Sequence, residues 1–165
     1  MKYSRRTLLG GAGAALAAGI VAFVPGRKSE AKERFPYELS DAEWRQRLSP
    51  AAYNVLRRAN TERAGSSPLD REKRPGTFVC AGCGNPVFSS GAKYDSGTGW
   101  PSFIRPLPRG VATRPDRGFF GTQTEVHCRR CGGHLGHVFD DGPPPTGKRY
   151  CMNGVAMRFV PLRRG

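Results

Sequence analysis

The chain has 165 residues, with 27 Lys and Arg against 13 Asp and Glu and a net charge of +14. That length holds one domain with a modest core and excludes a large multidomain enzyme. The charge favours acidic partners in general, but arginines such as Arg57, Arg63, Arg105 and Arg114 are scattered rather than blocked. They read as a solvated basic surface, and no nucleic-acid partner is expected.

The first segment is not read as part of the domain. Arg5-Arg6 precedes an apolar run rich in Gly and Ala, Leu8 to Val24, which Pro25-Gly26 ends. This is the layout of an export signal, and the paired arginines specify the twin-arginine (Tat) route, which makes the Tat translocase a partner during export. A short membrane anchor is the alternative for a run of this length. Small residues at Ser29-Glu30-Ala31 suit cleavage, so residues 1–31 are expected to be a removed signal and 32–165 the functional domain outside the cytoplasm. Removal takes five Lys/Arg and one Glu from the total of +14 and leaves +10.

Ser40-Asp41-Ala42-Glu43 is a capping box, with Trp44 and Leu48 following at helical spacing, and predicts a first short helix. Ser49-Pro50 offers a cap and a proline at the first helical position, predicting a second helix through Val55 and Leu56 to about Ala59. From Thr77 onward short apolar runs alternate with Gly and Pro: Phe78-Val79, Val87-Phe88, Phe119-Phe120, Val138-Phe139 and Val155 to Val160. These read as antiparallel strands. The expected fold class is therefore mainly β, a small antiparallel β-domain preceded by two short helices.

Four of the five cysteines form two C-x-x-C turns, Cys80/Cys83 and Cys128/Cys131, each followed by glycine. Four thiolates in two such knuckles can surround one tetrahedral Zn²⁺, with no position left for substrate, so the site would be structural. Two disulfides are the alternative in an exported protein. The 44 residues between the pairs exceed the spacing of an ordinary zinc ribbon, so the metal would tie together two distant hairpins.

Cys151 stands alone. It is either a small buried hydrophobe or a nucleophile, and Lys148 and Arg149 just upstream would favour its thiolate. If residues 149–160 formed one strand, Cys151, Asn153, Val155, Met157 and Phe159 would share a face. His134 and His137 would fall on opposite faces of a regular strand, and share a site only if Gly133 or Gly136 bends the chain. An extra metal ligand, a surface donor and a catalytic group remain open for them, while His127 beside Cys128 reads as a knuckle residue. The turn Gly97-Thr98-Gly99-Trp100-Pro101-Ser102-Phe103 is either a core plug or an aromatic wall for a methyl or thioether group.

The ordered set C-x-x-C, "SGTGWPSF", C-x-x-C, "GGHLGHVFDDGP", "RYCMN", with "TER" at 61–63, resembles the B-type peptide methionine sulfoxide reductases, which act on the R epimer. The resemblance runs from about Ser40 to Phe159. It implies that Cys151 is the nucleophile, that His134, His137 and Asn153 line the site, that Trp100 receives the substrate methyl group, and that Arg149, with Phe139, supports the pocket. It assigns zinc to Cys80, Cys83, Cys128 and Cys131. The implied substrates are proteins or peptides containing methionine sulfoxide, and the implied reductant is a thioredoxin-like protein or another thiol. The sequence departs from a common family pattern at Thr98, where many members carry a second cysteine, so a one-cysteine enzyme is expected. Gly154, where serine is frequent, is a second departure expected to have little effect.

A zinc-ribbon binding module and a disulfide-braced secreted domain are the rival readings. The first does not account for Cys151, the tryptophan turn or the export signal, and the second would contain no zinc and would lose stability with reductant.

Overall fold

The computed structural model describes residues 33–118 and 121–163. The export signal and the Phe119-Phe120 strand core lie outside the described residues.

Two helices open the domain. In α1 (Asp41–Arg47) Ser40 and Glu43 form the reciprocal capping box, and in α2 (Pro50–Arg58) Ser49 caps the chain with Pro50 in the first turn. Ala59 ends α2 in the left-handed conformation at φ 53°. α2 is amphipathic: Ala52, Tyr53, Val55 and Leu56 are buried, and Leu56 lies over Gly133 in the second C-x-x-C turn.

The rest is antiparallel sheet. A three-stranded sheet has the order β2 (Pro86–Ser89), β1 (Gly76–Cys80), β9 (Met157–Pro161). A six-stranded sheet has the order β3 (Lys93–Tyr94), β4 (Ser102–Phe103), β8 (Arg149–Met152), β7 (His134–Phe139), β6 (Gly121–Cys128), β5 (Val111–Gly118). Phe103 of the larger sheet stacks on Phe88 at 4.3 Å and meets Phe78 edge-on at 5.0 Å. All three are fully buried, so one aromatic core joins the sheets.

One expectation fails. Residues 149–160 are not one strand: β8 ends at Met152, Gly154–Ala156 make a 3₁₀ turn, and β9 then enters the other sheet. The physical cause is Glu62, whose carboxylate accepts from the Gly154 and Val155 N–H groups at 2.6 and 2.9 Å and so removes them from any ladder. The two-residue period is lost there. Cys151 and Asn153 stay beside one cleft, while Val155, Met157 and Phe159 line a separate groove against α2.

Gly154 sits inside that turn, and its effect is larger than expected. A Cβ there would stand 2.0 Å from Ser67 Oγ and 2.4 Å from Ser67 Cβ. The missing side chain makes room for Ser67.

Candidate active site and metal centre

The four paired cysteines converge at the junction of the sheets. Cys80 closes β1 and Cys83 sits in the turn that follows; Cys128 closes β6 and Cys131 sits in the equivalent turn before β7. Each turn is shut by a glycine N–H, Gly84 on Cys80 O at 2.9 Å and Gly132 on Cys128 O at 2.8 Å. Both glycines have left-handed φ, 74° and 67°, which a side chain adopts only at a cost.

All four sulfurs are buried and lie within 4.8 Å of one another, with Cys83 and Cys128 at 3.5 Å and Cys80 and Cys131 at 3.8 Å. A tetrahedron with metal–sulfur bonds of about 2.3 Å has edges of about 3.8 Å, so the spacing fits one ion. The same distances far exceed a disulfide bond of about 2.05 Å, and all five cysteines are free. Hydrogen bonds among the thiols hold Cys128 low and push Cys80 and Cys131 up, because several thiolates cannot share so small a space without a cation. Arg47, Arg57 and Arg130 bond to the carbonyls of Gly82, Cys131 and Cys83 and brace both turns. The cluster contains no histidine. His127 is buried beside it, edge-on to Phe35 at 5.8 Å.

The second site is a cleft of about 260 Å³ lined by Thr61, Trp100, Gln123, Gly136, His137, Phe139, Cys151 and Asn153. Strand register explains its composition. Cys151 pairs with His137 on one side and Ser102 on the other, His137 pairs with Glu125, and Gln123 pairs with Asp116. Residues directly opposite one another in antiparallel strands point to the same face, so a polar row crosses the large sheet with the thiol near its centre.

The conflict over the two histidines is resolved by a bend. The β6–β7 register shifts between Val126 and His127, and Gly136 lets β8 approach so closely that a Cβ would stand 2.1 Å from the Cys151 carbonyl oxygen. The His134 and His137 rings then lie 5.2 Å apart. They are not equivalent. His137 lines the cleft. His134 is 2% exposed, does not line it, and bonds through Nδ1 to Glu125 Oε1 at 2.9 Å. Burial raises the Glu125 carboxyl, yet hydrogen bonds from His134 and Arg114 outweigh burial and hold it at about 2.

Lys148 and Arg149 were expected to lower the Cys151 pKa. The net effect is the reverse: burial pushes this thiol up, and the Thr98 hydroxyl and Arg149 only partly offset it. Arg149 acts in the expected direction but is outweighed by burial, and both cations also pair with carboxylates. Lys148 pairs with Asp140, and Arg149 forms a two-pronged pair with Asp141 at 2.8 Å while lying 4.4 Å over the Phe139 ring.

The wall opposite is held by the segment before the C-x-x-C turns. Trp100 Nε1 donates to Glu62 O at 3.1 Å, the Glu62 N–H donates to Asn153 Oδ1 at 2.8 Å, and Asn153 Nδ2 donates to Leu135 O at 3.1 Å. Asn153 is therefore spent on backbone partners beside the thiol. Thr98 Oγ1 lies 3.9 Å from Cys151 Sγ.

Sequence reasoning did not single out Gln123, Glu125 or Asp116, and it gave Glu62 no role beyond membership of "TER". The alternation Arg114, Asp116 on one strand and Gln123, Glu125 on the next is the signal that could have found three of them, since it places four polar groups on one face.

A SelR domain matches residues 48–161. The chain is 48% identical over 124 residues to the peptide methionine sulfoxide reductase MsrB of Agrobacterium fabrum, covering 74% of this chain and 92% of that protein. It is 50% identical over 129 residues to the MsrB of Methanosarcina barkeri, covering 78% and 91%. It is 44% identical over 141 residues to the chloroplastic peptide methionine sulfoxide reductase B1 of Arabidopsis thaliana, covering 85% and 70%. With this geometry and these identities over most of both chains, the protein belongs to the SelR-domain family of MsrB peptide methionine sulfoxide reductases.

Proposed function

We propose that this chain reduces the R epimer of protein-bound methionine sulfoxide to methionine, with Cys151 as nucleophile and an external thiol as reductant. The observation that carries this reading is the arrangement of the five cysteines: four are drawn into one buried cluster, and the fifth opens on a cleft with Trp100, Phe139 and His137. The two aromatic rings suit the methyl and thioether part of the side chain, since sulfur and its methyl pack well on aromatic faces.

The chemistry follows from the site. Cys151 rests as a thiol because burial raises its pKa, so a base must take its proton, and His137 is the titratable group paired with it across the strands. The thiolate attacks the sulfoxide sulfur. The imidazolium returns the proton to the sulfoxide oxygen, which would otherwise leave as an anion. Oxygen ends on Cys151: a thiol and a sulfoxide become a sulfenic acid and a thioether, with two electrons passing from the cysteine sulfur to the substrate sulfur. A first external thiol then condenses with the sulfenic acid, releasing water and leaving a mixed disulfide, and a second thiol restores Cys151. Thioredoxin-like proteins are the natural class of donor.

Zinc is the ion proposed for Cys80, Cys83, Cys128 and Cys131, where four thiolates would saturate it and leave it a structural brace. Export through the Tat translocase, with repair of oxidised proteins outside the cytoplasm, rests on residues 1–31 and their paired arginines.

Mass spectrometry after one turnover without reductant tests the resolving step. A single sulfenic adduct on Cys151 is expected, and an internal disulfide would overturn the one-cysteine scheme. The Thr98→Cys variant gives the contrast: a thiol close to Cys151, where Thr98 Oγ1 now stands at 3.9 Å, should convert the product to a Cys151 disulfide.

A further inference from the structure

Two carboxylates from neighbouring strands each grip one histidine of β7. Glu125 of β6 holds His134, and Asp116 of β5 accepts from His137 Nε2 at 2.9 Å. The first pair is sealed, with side chains 6% and 3% exposed, whereas His137 and Asp116 remain 18% and 43% exposed at the cleft. A sealed pair serves the fold. The open pair touches the histidine that lines the cavity.

We propose that Asp116 is a positioning residue for the reaction: it fixes His137 in the Nε2–H tautomer. Resting on the reading of Cys151 and His137 given above, this deepens it. A carboxylate only accepts, so His137 Nε2 must carry the hydrogen toward Asp116. Nδ1, which has no protein partner among the described residues, then keeps a lone pair to take the Cys151 proton and afterwards returns it to the sulfoxide oxygen. Register supports the geometry. Asp116 faces Gln123, two pairs along and so on the same face as Arg114 facing Glu125, and Glu125 in turn faces His137 and then Cys151. Asp116 thus reaches His137 across β6 on the face that carries the thiol. The logic is that of other triads in which an acid orients the base that serves a nucleophile.

Substitution distinguishes tautomer control from mere packing. In Asp116→Asn the amide offers Nδ2 as a donor as well as Oδ1 as an acceptor; with Nδ2 turned to Nε2 the hydrogen moves to Nδ1 and the acceptor that Cys151 needs is lost. In Asp116→Ala water replaces the carboxylate and both tautomers are populated. Packing alone would make alanine the worse change. Tautomer control makes asparagine the worse change when His137 carries Nδ1–H in that variant, and Asp116→Glu should restore part of the rate.

The experiment uses the full chain with a peptide carrying the R sulfoxide and dithiothreitol. We expect kcat to fall tenfold or more for Asn and about threefold for Ala, with KM within about twofold, since the group acts on proton transfer rather than on binding. In parallel, ¹⁵N spectra of histidine-labelled protein report the tautomer, and with only three histidines in the chain the His137 signal is identified by substitution. The wild type should show Nε2–H at His137 and the Asn variant Nδ1–H. The rate should follow the tautomer: active wild type with an Asn variant that carries Nδ1–H at His137 and is undiminished, or that keeps Nε2–H and still loses the rate, overturns the positioning role. A wild type without turnover overturns the functional reading instead, and the spectra then decide the tautomer claim on their own.

Discussion

Glu62 holds three parts of the cleft wall at once, so replacing it should show how far the site depends on one residue outside it. Its carboxylate accepts from Gly154 and Val155 at 2.6 and 2.9 Å, its N–H bonds Asn153, and its carbonyl takes the Trp100 indole at 3.1 Å. Glu62→Ala deletes the first two bonds directly. Hydrogen bonds to a charged group contribute about 1.5–3 kcal/mol each. Glu62 also lines the open groove beside α2, where water can reach the freed N–H groups, so the low end of that range applies and the loss is about 3 kcal/mol. For a domain of this size that is a fall in Tm of about 10 °C. Glu62→Gln keeps one acceptor and should lose about half as much. Because the turn at Gly154 follows Cys151 by three residues, both variants should also lose turnover, about tenfold for Ala, after correction for the folded fraction. Thermal unfolding followed by tryptophan fluorescence, paired with steady-state kinetics at 20 °C, reads both effects. A Glu62→Ala protein melting within about 2 °C of the wild type would refute the clamp.

Three further outcomes are expected. Stripping the metal with a chelator, or replacing Cys128 by serine, should lower the Tm steeply and abolish cooperative unfolding, because the cluster joins the β1–β2 and β6–β7 hairpins; equal stability with and without metal would refute a structural ion. Glu125→Gln should cost about 3 kcal/mol at pH 7 by leaving Arg114 and His134 without their anion. The Glu125 carboxyl is held at about 2 against an ordinary 4.5, so its contribution is complete above about pH 4.5 and drains away as pH falls toward 2; the wild type should lose stability through that window more steeply than the variant, and parallel acid curves would contradict this. Gly154→Ser should cost about 2 kcal/mol through the collision with Ser67, and the companion change Ser67→Gly should recover most of it in chemical denaturation; additive losses would show that the two positions do not meet.

Much of this architecture was legible because its determinants are local. The two caps at Ser40 and Ser49 fix both helices with side chains three residues away, and each C-x-x-C turn is closed by its own glycine. What was not legible depends on partners far along the chain. Residues 149–160 read as one strand because their alternation is intact, and only Glu62, more than ninety positions upstream, takes the N–H groups that would have continued it. The Cys151 environment was misjudged for the same reason: Arg149 is adjacent in sequence and lowers the thiol's pKa as expected, but burial among strands distant in the chain outweighs it. The two histidines were ambiguous until the β6–β7 register shift and Gly136 were seen together.

The most direct test of the account is turnover of a peptide with separated R and S methionine sulfoxide epimers by the metal-loaded chain and by Cys151→Ser. Reduction of the R epimer alone, lost in the variant, is the result the cleft at Cys151 predicts. Folded, metal-loaded protein that reduces neither epimer, or that reduces R equally well without the thiol, would contradict it.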